Sequence, residues 1–519
     1  NPHYRPEVAA QCTIINFIVT EGGLEDQLLA MVVKVERPEL EDEKSQLVKK
    51  LNNFQVELSQ LEAELLNNLS SADKETILDN KELTDSLDKT KMTSLDIERQ
   101  QEQAKITEAE INTQREIYRK VAAEGSMVYF LIISLNFVNH MYQYSLESFT
   151  KFFFKAIERT TVRDETRVDE LRKNIRYVIY QWVSRGLFER HKLILLSMIT
   201  FRLMQKKVID VPFDQAQLNF LLTCIPKPGV ECSLDWLPIP AWNAVQRLCD
   251  LEEFRSFAQN LEKDAPSRFK DWYNELEPEN QKLPLDWKKL EKTFQKLLVL
   301  RCLRPDRITN ALTQFIRDTL PDGASYVEMD QKLSFNEILS SSLDDADPNI
   351  PIFFILSPGA DPVKDVVAIA KRKGFESNKN LWIIALGDGV EQTAMNKLEL
   401  AAKEGHWVML QNIHLMPRWL IELEKKLDAF QLEGGGNNPA FRLFLSAEPS
   451  SAIPIGILDR SIKLTNEPPA GLKANMKRAW TYFPKEEIED KDTKMKSILF
   501  ALCFFHATVI ERRKFGPKG

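Results

Sequence analysis

The strongest constraint on the fold is the segment from Pro351 to Arg372, where an apolar run enters a glycine-containing turn and a helical run follows. That order is typical of a phosphate-binding loop set between a buried strand and a helix. A Walker A loop, however, needs two glycines, a lysine for the phosphates and a hydroxyl group for Mg²⁺. The turn here lacks that set, so we predict a nucleotide-binding fold that does not bind nucleotide.

The turn is a degenerate phosphate loop. It has one glycine and no lysine, and its residues are Ser357, Pro358, Gly359, Ala360 and Asp361. Asp361 places a carboxylate at the positive end of the following helix, where a phosphate would otherwise bind. We therefore expect this loop to repel the ligand that its architecture suggests.

Short apolar runs alternate with helical patterns around this turn. The predicted strands are Ile352–Leu356, Leu381–Leu386, Trp407–Leu410 and Arg442–Leu445, and the predicted helices are Val363–Lys373, Gln392–Glu404 and Trp419–Leu427. Near-continuously apolar strands that alternate with helices indicate a parallel sheet covered on both faces. We predict an α/β domain here.

A second site has lost the same chemistry. A P-loop ATPase carries acidic residues for Mg²⁺ and water activation at the end of its Walker B strand. Gln411 and Asn412 stand at the matching place and are uncharged, so they cannot hold Mg²⁺ by charge or act as a base. His406 and His414 lack further ligands at metal-site spacing. We predict no catalytic residue and no metal site.

Arg460 is the one charge that we single out. It lies beside the presumed edge of the sheet. In a ring of ATPase modules, an arginine there could reach the neighbour's nucleotide and stabilise transition-state charge. An ion pair with Asp459 or another nearby acid is the alternative, and both interpretations stay open.

Residues 38–125 carry a different pattern. Apolar residues recur at steps of mostly three and four, and this seam includes Leu47, Leu51, Phe54, Leu58, Leu61 and Leu65. A polar break follows, and a second, more polar helical pattern runs to about residue 123. We predict an antiparallel coiled-coil hairpin that projects about 45 Å if each helix has about 30 residues. Two helices of a compact bundle are the alternative.

Composition limits the partners of the chain. The 519 residues have a formal net charge of −7, which offers no basic surplus for neutralising nucleic-acid phosphates. Six scattered cysteines indicate free thiols in a reducing compartment. The apolar run Met127–Met141 is interrupted by polar residues and too short to span a bilayer, so we expect no membrane segment. Both ends look cut from a longer polypeptide.

Several longer motifs resemble one family. Leu303–Arg307, Ser357–Pro362, Gly405–Leu415 and Lys463–Pro469 resemble the sixth AAA+ module of dynein heavy chains. Asn1–Tyr4 together with Gly23–Leu29 resembles the end of the fifth module. The hairpin is placed like the buttress, or strut, that leaves the fifth module and braces the microtubule-binding stalk. Within the family the chain is most similar to axonemal, outer-arm β-type chains.

The resemblance implies an α/β plus α-helical architecture with a P-loop-like AAA+ sheet and a hairpin. Its implied segments are the end of the fifth AAA+ large subdomain (1–37), the hairpin (38–125) and a helical small subdomain (126–210). The implied sixth module has a helical lead-in (211–340), a large subdomain that does not bind nucleotide (341–490) and the start of a small subdomain (491–519).

The resemblance also implies a function. The parent heavy chain would be an ATP-driven microtubule motor for ciliary movement, located in the cytoplasm, the cytoskeleton and the axoneme. This portion would have no cofactor and no catalysis of its own, since ATP and Mg²⁺ belong to other modules. Its partners would be the stalk coiled coil, the neighbouring AAA+ modules, microtubules through the stalk tip, and dynein intermediate and light chains, without nucleic acid or membrane.

Three alternatives stay open. The chain could be an active Mg²⁺-dependent nucleotidase with an unorthodox loop. It could be a coiled-coil scaffold whose α/β domain docks partners, or a portion of a cytoplasmic rather than an axonemal dynein.

Overall fold

The computed structural model describes residues 11–13, 19–71, 81–163, 165–227, 231–291, 293–329, 335–357, 360–432, 437–467, 471–480, 483, 488 and 491–513. Two residues of the degenerate phosphate loop, Pro358 and Gly359, lie outside these ranges. For Leu61 and Leu65 the helical backbone is described and the side chain is not.

Helices make up most of the described chain. They are α1 (Glu21–Glu36), α2 (Pro38–Ser71), α3 (Lys81–Glu116), α4 (Arg119–Ser134), α5 (Leu146–Arg159), α6 (Arg167–Ser184), α7 (Glu189–Gln205), α8 (Gln215–Thr223), α9 (Ile239–Leu248), α10 (Phe257–Gln259), α11 (Pro266–Asn274), α12 (Phe294–Leu303), α13 (Ile308–Thr319), α14 (Gly323–Val327), α15 (Phe335–Asp345), α16 (Val363–Arg372), α17 (Glu391–Glu404), α18 (Pro417–Leu432), α19 (Ile455–Arg460), α20 (Leu472–Trp480) and α21 (Thr493–Arg513).

The strands form one parallel sheet in the order β2-β3-β4-β1-β5. They are β1 (Ile352–Leu356), β2 (Leu381–Ala385), β3 (Trp407–Gln411), β4 (Arg442–Ala447) and β5 (Ile462–Asn466). All pairings are parallel, and β5 adds an edge strand to the four predicted runs. The predicted class, α/β with a parallel sheet plus helical regions, is confirmed.

The sheet is buried because its strands are apolar on both faces. Every residue of β1 is buried, with Phe353 and Phe354 fully so. On one face, Phe354 stacks on Phe444 of β4, and the core there includes Leu339 and Leu343 of α15 and Val366, Ile369 and Ala370 of α16. A strand buried on both sides reads as a continuous apolar run, which is why this part of the fold was legible in the sequence.

The outer edge of β5 is covered by another part of the chain. Thr465 N donates to Arg185 O at 2.8 Å, and Thr465 Oγ1 lies 3.0 Å from Leu187 O. Gly186 allows this approach, since a Cβ there would lie 2.6 Å from Cβ of Lys463. Covering an edge strand removes unpaired backbone groups that could pair with other chains.

The chain divides into two compact units. One comprises Asn1–Phe130 and Leu146–Tyr180, and the other comprises Leu131–Ser145 and Gln181–Gly519. The first unit contains α1, α2, α3 and α5. The second contains the sheet and the helices from α7 onward.

Two helices of the described chain pass a length and composition test for membrane spans. They are Arg119–Phe137, of which 56% is buried in the structure, and Thr493–Arg512, of which 11% is buried. Both helices are longer than the run Met127–Met141, from which the sequence predicted that no segment spans a membrane. Core helices of soluble proteins pass the same test, so the finding is weak evidence for a membrane span.

Candidate functional site

The degenerate phosphate loop begins at the carboxyl end of β1, as its place in the sequence suggests. Ser357 is tied to the end of β5, because its N and Oγ both donate to Asn466 O, at 3.3 and 3.1 Å. Ala360 N then donates to Ser357 O at 3.0 Å and closes a turn. The hydroxyl proton of Ser357 that could be donated to a phosphate is therefore already used within the fold.

Asp361 occupies the amino end of α16. Its Oδ1 accepts a hydrogen bond from Val363 N, the first residue of the helix, at 3.0 Å. Pro362 contributes no N–H. A carboxylate there interacts favourably with the positive dipole end of the helix, and Asp361 engages the N–H of Val363, which is one of the donors that a phosphate would otherwise meet.

Gln411 and Asn412 end β3 and turn the chain. Gln411 O accepts from Leu386 N at 3.0 Å, and Asn412 N donates to Ser446 Oγ of β4 at 3.4 Å. Asn412 has φ +57°, a left-handed conformation that Asn tolerates better than most residues. Asn412 O accepts from Leu415 N and starts a short 3₁₀ turn. Asn412 thus acts through its backbone N–H and C=O groups and its left-handed conformation, which turn the chain after β3.

The loop and the residues that follow β3 both lie at the carboxyl-terminal ends of the parallel strands. Strand β4 lies between β1 and β3, which separates their ends by about 10 Å. Among the described residues, no group of three His, Cys, Asp or Glu side chains is arranged to hold a metal ion. A cavity of about 300 Å³ lies elsewhere in the second unit, lined by residues that include Lys296, Gln314 and Asp318.

Arg460 lies at the amino-terminal ends of the parallel strands, whereas the loop lies at their carboxyl-terminal ends. It ends α19, two residues before β5 begins at Ile462, whereas Ser357 follows the last residue of β1. Its guanidinium pairs with Asp428 of α18, and its Nε donates to Gly456 O. The ion pair predicted as the alternative thus exists with Asp428. A role toward a neighbouring module stays a prediction.

The predicted hairpin seam lies along the contact of α2 and α3. Leu47, Leu51, Phe54 and Leu58 are each half-buried on α2, while the residues between them are mostly exposed. On α3 the seam is formed by Ile97, Ala104 and Ile111, at 4, 6 and 4% exposure. Burial every seventh residue is the spacing of a coiled-coil contact.

Charged pairs hold the base of the hairpin. Arg115 Nη2 lies 3.0 Å from Glu41 Oε2, and Lys44 Nζ donates to Asn112 Oδ1 at 2.9 Å, so the two helices run antiparallel. Arg119, at the start of α4, reaches α1 through Glu25 Oε1 at 2.9 Å and Asp26 Oδ1 at 3.0 Å. The base is therefore fixed to the unit that carries it.

The outward faces of the hairpin are partly apolar. Seven large apolar side chains are at least 39% exposed, namely Val48, Val56, Leu66, Met92, Leu95, Ile106 and Ile117. Exposed apolar residues concentrated on one element mark an interaction surface more often than a solvated face. The heptad pattern of the sequence marks the seam and gives no sign of this exposed apolar face.

Two buried charged groups were also missed. Glu124 of α4 accepts from Arg176 Nη2 at 2.7 Å and Arg172 Nη2 at 3.3 Å of α6, with Glu124 and Arg176 at 4 and 2% exposure. Lys463, within the apolar strand β5, is 3% exposed. For Lys463, the signal in the sequence was a lysine between apolar strand residues. Glu124 and Arg176 lie 52 residues apart, and nothing in the sequence marks them as a pair.

Lys463 is held by backbone carbonyls. Its Nζ donates to Leu458 O at 2.6 Å and Ser461 O at 3.3 Å, and it lies 4.3 Å from the centre of the Tyr144 ring. Burial lowers the pKa of Lys463 to about 7, and the charge of Asp459 opposes this shift. Burial raises the pKa of Asp459.

This pKa predicts how stability depends on pH. Below pH 7 Lys463 is protonated in the folded and in the unfolded state, so the cost of burying its charge is fully present. Between pH 7 and 10.5, the pKa of the unfolded state, the folded state has released the proton and the free energy of unfolding rises with pH. Relative to Lys463→Met, the native chain should gain about 2 kcal/mol of unfolding free energy from pH 7 to 9. Urea unfolding at both pH values measures this. The exposed Lys379→Met is the control, and a pH-independent difference for Lys463→Met would contradict the prediction.

The chain matches two protein families. Residues 347–465 match the family described as dynein heavy chain region D6 P-loop domain. Residues 1–97 match the family described as ATP-binding dynein motor region. The first match contains strands β1 to β4 and all of β5 except its last residue, Asn466.

Curated relatives match along the entire chain. Dynein axonemal heavy chain 9 of Homo sapiens is 44% identical over 532 residues, which cover 100% of this chain and 11% of the relative. The ciliary dynein beta chain of Heliocidaris crassispina is 44% identical over 100% of this chain and 12% of the relative. The beta chain of the flagellar outer arm of Chlamydomonas reinhardtii is 41% identical over 99% of this chain. The chain thus spans about an eighth of the length of these relatives.

Proposed function

This chain belongs to the axonemal dynein heavy chain family, and from that premise we propose that it forms a structural, force-transmitting part of a dynein motor ring. In this role it relays ATP-driven changes of the ring to the microtubule-binding stalk and so contributes to ciliary or flagellar movement. Hydrolysis takes place in other modules of the parent chain, which bind ATP and Mg²⁺. This portion acts without a cofactor of its own.

The observation that carries the proposal is the hairpin. A two-helix rod of 34- and 36-residue helices is fixed by ion pairs at its base and carries exposed apolar residues on its outer faces. A fixed rod transmits displacement, and an apolar outer face suits contact with a second coiled coil. A register shift in that partner would be the two-state element that couples ring and stalk.

The division into modules is part of the proposal. We assign residues 1–37 to the end of the fifth AAA+ large subdomain, 38–125 to the buttress and 126–210 to the small subdomain. Residues 211–340, 341–490 and 491–519 form the lead-in, large subdomain and start of the small subdomain of the sixth module. The match of residues 347–465 to region D6 supports the assignment of the sheet.

The proposed partners follow from the same role. They are the stalk coiled coil and the neighbouring AAA+ modules of the same heavy chain, microtubules through the stalk tip, and dynein intermediate and light chains. The proposed location is the axoneme, which the names of the relatives support.

Nucleotide binding separates this role from that of an active nucleotidase. We expect no heat of binding when Mg²⁺-ATP is titrated into the 519-residue chain, because Asp361 fills the helix terminus and the loop has no lysine. The full heavy chain, titrated in parallel, is the positive control. Micromolar, Mg²⁺-dependent affinity of the 519-residue chain would contradict the structural role and favour the enzyme.

A further inference from the structure

A buried lysine lies in the wall of the cavity of the second unit. Lys296 belongs to α12 and is 8% exposed. The cavity has a volume of about 300 Å³ and is lined by residues of α12, of α13 and of the chain between α11 and α12. The proposed motor function gives this cavity no role.

Two backbone carbonyls hold the side chain of Lys296. Its Nζ donates to Glu279 O at 2.6 Å and to Gln281 O at 2.8 Å, and Glu279 itself lines the cavity. In the part of the chain that the structure describes, no carboxylate forms an ion pair with Nζ. A neutral amine has two N–H groups and one lone pair, so the two carbonyls satisfy its donors and leave the lone pair free. An ammonium would have a third N–H without an acceptor among the described residues.

We propose that Lys296 is a site of covalent modification, where a short aliphatic aldehyde enters the cavity and forms an imine with Nζ. A lysine amine that an apolar pocket keeps neutral is a suitable nucleophile for a carbonyl carbon. The site lies outside the degenerate phosphate loop and the hairpin, and it uses none of the residues to which the motor role is assigned.

The wall of the cavity suits the alkyl body of such an aldehyde. Its apolar part comprises Leu297, Leu300, Ala311 and Phe315, each at most 6% exposed. A volume of about 300 Å³ is at the lower end of the range of ligand pockets. The aldehyde is therefore a small one.

The charged residues of the wall favour a neutral reagent. Glu291 and Asp318 line the cavity, and their carboxylates repel anionic acyl donors such as acyl phosphates. Glu291 lies 3.3 Å from Lys282 Nζ, and Asp318 accepts from Gln314 Nε2 at 3.0 Å. An aldehyde carries no charge, so its entry beside these carboxylates meets no such repulsion.

Burial keeps more of Lys296 in the reactive form. It lowers the pKa of the side chain, while the charges of Glu291 and Glu279 oppose this shift. The carboxylate of Glu279 is itself engaged by Arg307. At neutral pH, a larger fraction of Lys296 than of an exposed lysine is therefore the neutral amine.

The reaction balances with the aldehyde as its one co-reactant. The lone pair of Nζ attacks the carbonyl carbon, and the C=O double bond becomes a C–O single bond. Both protons of the amine pass to that oxygen, the C–O bond breaks, and one water leaves as the C=N bond forms. Nothing is oxidised or reduced.

Reductive trapping on the full heavy chain tests the proposal. The chain is treated at pH 7 with propanal and sodium cyanoborohydride, and peptide mapping measures the rate of alkylation at each lysine. Lys296 should react several-fold faster than the exposed Lys289 in the folded chain, and the two rates should become equal in guanidinium chloride. A rate at Lys296 that is equal to or below that of Lys289 in the folded chain would overturn the proposal.

Two variants change the site in opposite directions. Ala311→Leu fills part of the cavity and should slow the alkylation of Lys296 several-fold, whereas Glu291→Gln removes a charge that favours the ammonium and should speed it at pH 7. Lys289 is the matched reference in both variants. If Ala311→Leu opens the fold, Lys296 and Lys289 react at equal rates and Glu291→Gln decides. An unchanged rate at Lys296 in a folded variant would contradict the role of the cavity.

The pH dependence gives a second readout. The rate at Lys296 is divided by the rate at Lys289, which removes the pH dependence of the reduction step. As pH rises toward 10.5, the usual pKa of a lysine, Lys289 gains neutral amine while Lys296 is already neutral, so the ratio should fall several-fold. A ratio that does not change with pH would overturn the proposal.

Discussion

Replacing Ile97 and Ile111 together by Asp should abolish microtubule stimulation of the heavy-chain ATPase and leave the basal ATPase nearly unchanged. Both side chains are 4% exposed in the seam of the hairpin. A carboxylate buried there without a partner costs several kcal/mol, so α3 should separate from α2. In the proposed role ATP is hydrolysed in other modules of the parent chain, which these substitutions leave untouched, so only the relay to the stalk should fail.

The same helix offers a control for the opening of the hairpin alone, because its outer apolar face is itself proposed to contact the stalk. Leu95 and Ile106 are 52 and 51% exposed, so Leu95→Asp with Ile106→Asp makes the same chemical change on the outer face. Hydrogen exchange along α2 and α3 should show opening in the seam variant and not in the control. Full microtubule stimulation in a seam variant whose hairpin has opened would refute the mechanical role.

Glu124→Gln should lower the free energy of unfolding by about 3–5 kcal/mol, because it leaves a buried arginine without its countercharge. The side chain of Arg176 is 3% exposed and Arg172 also contacts Glu124, so two cations lose one anion. Hydrogen exchange of α4 and α6, together with the midpoint of urea unfolding, measures the loss.

A surface pair in the same region gives the comparison. Glu170 of α6 pairs with Lys173 three residues on, and both side chains are more than a third exposed. Glu170→Gln should cost less than about 1 kcal/mol, as is usual for exposed pairs. If both substitutions lowered the free energy of unfolding equally, the buried carboxylate of Glu124 would stabilise the fold no more than an exposed one.

The parallel sheet could be read from the sequence because its physics is local. Each strand is a short apolar run bounded by turn residues, and burial on both faces needs no alternation. The missing lysine and acidic residues were visible for the same reason, since a motif either has the required side chains or lacks them. The edge strand β5 was harder to read because Lys463 interrupts its apolar character.

The pairing of the site residues could not be read in this way. Asp428 lies 32 residues from Arg460, and Asn466 lies 109 residues from Ser357. Such partners are chosen by how helices and strands pack, and neither composition nor periodicity records that choice.

The sequence by itself determined that the chain has a nucleotide-binding architecture without the groups that bind nucleotide, and that a heptad seam runs through residues 38–123. Both are properties of side chains at fixed spacings. Only the tertiary structure decided that Asp361 bonds the first N–H of its helix and that Arg460 and the degenerate phosphate loop lie at opposite ends of the strands. It also decided that Glu124 is buried and that Lys463 is buried. Burial and long-range partners arise from the packing of helices and strands, and they determine the pKa and the pairing of each charged group.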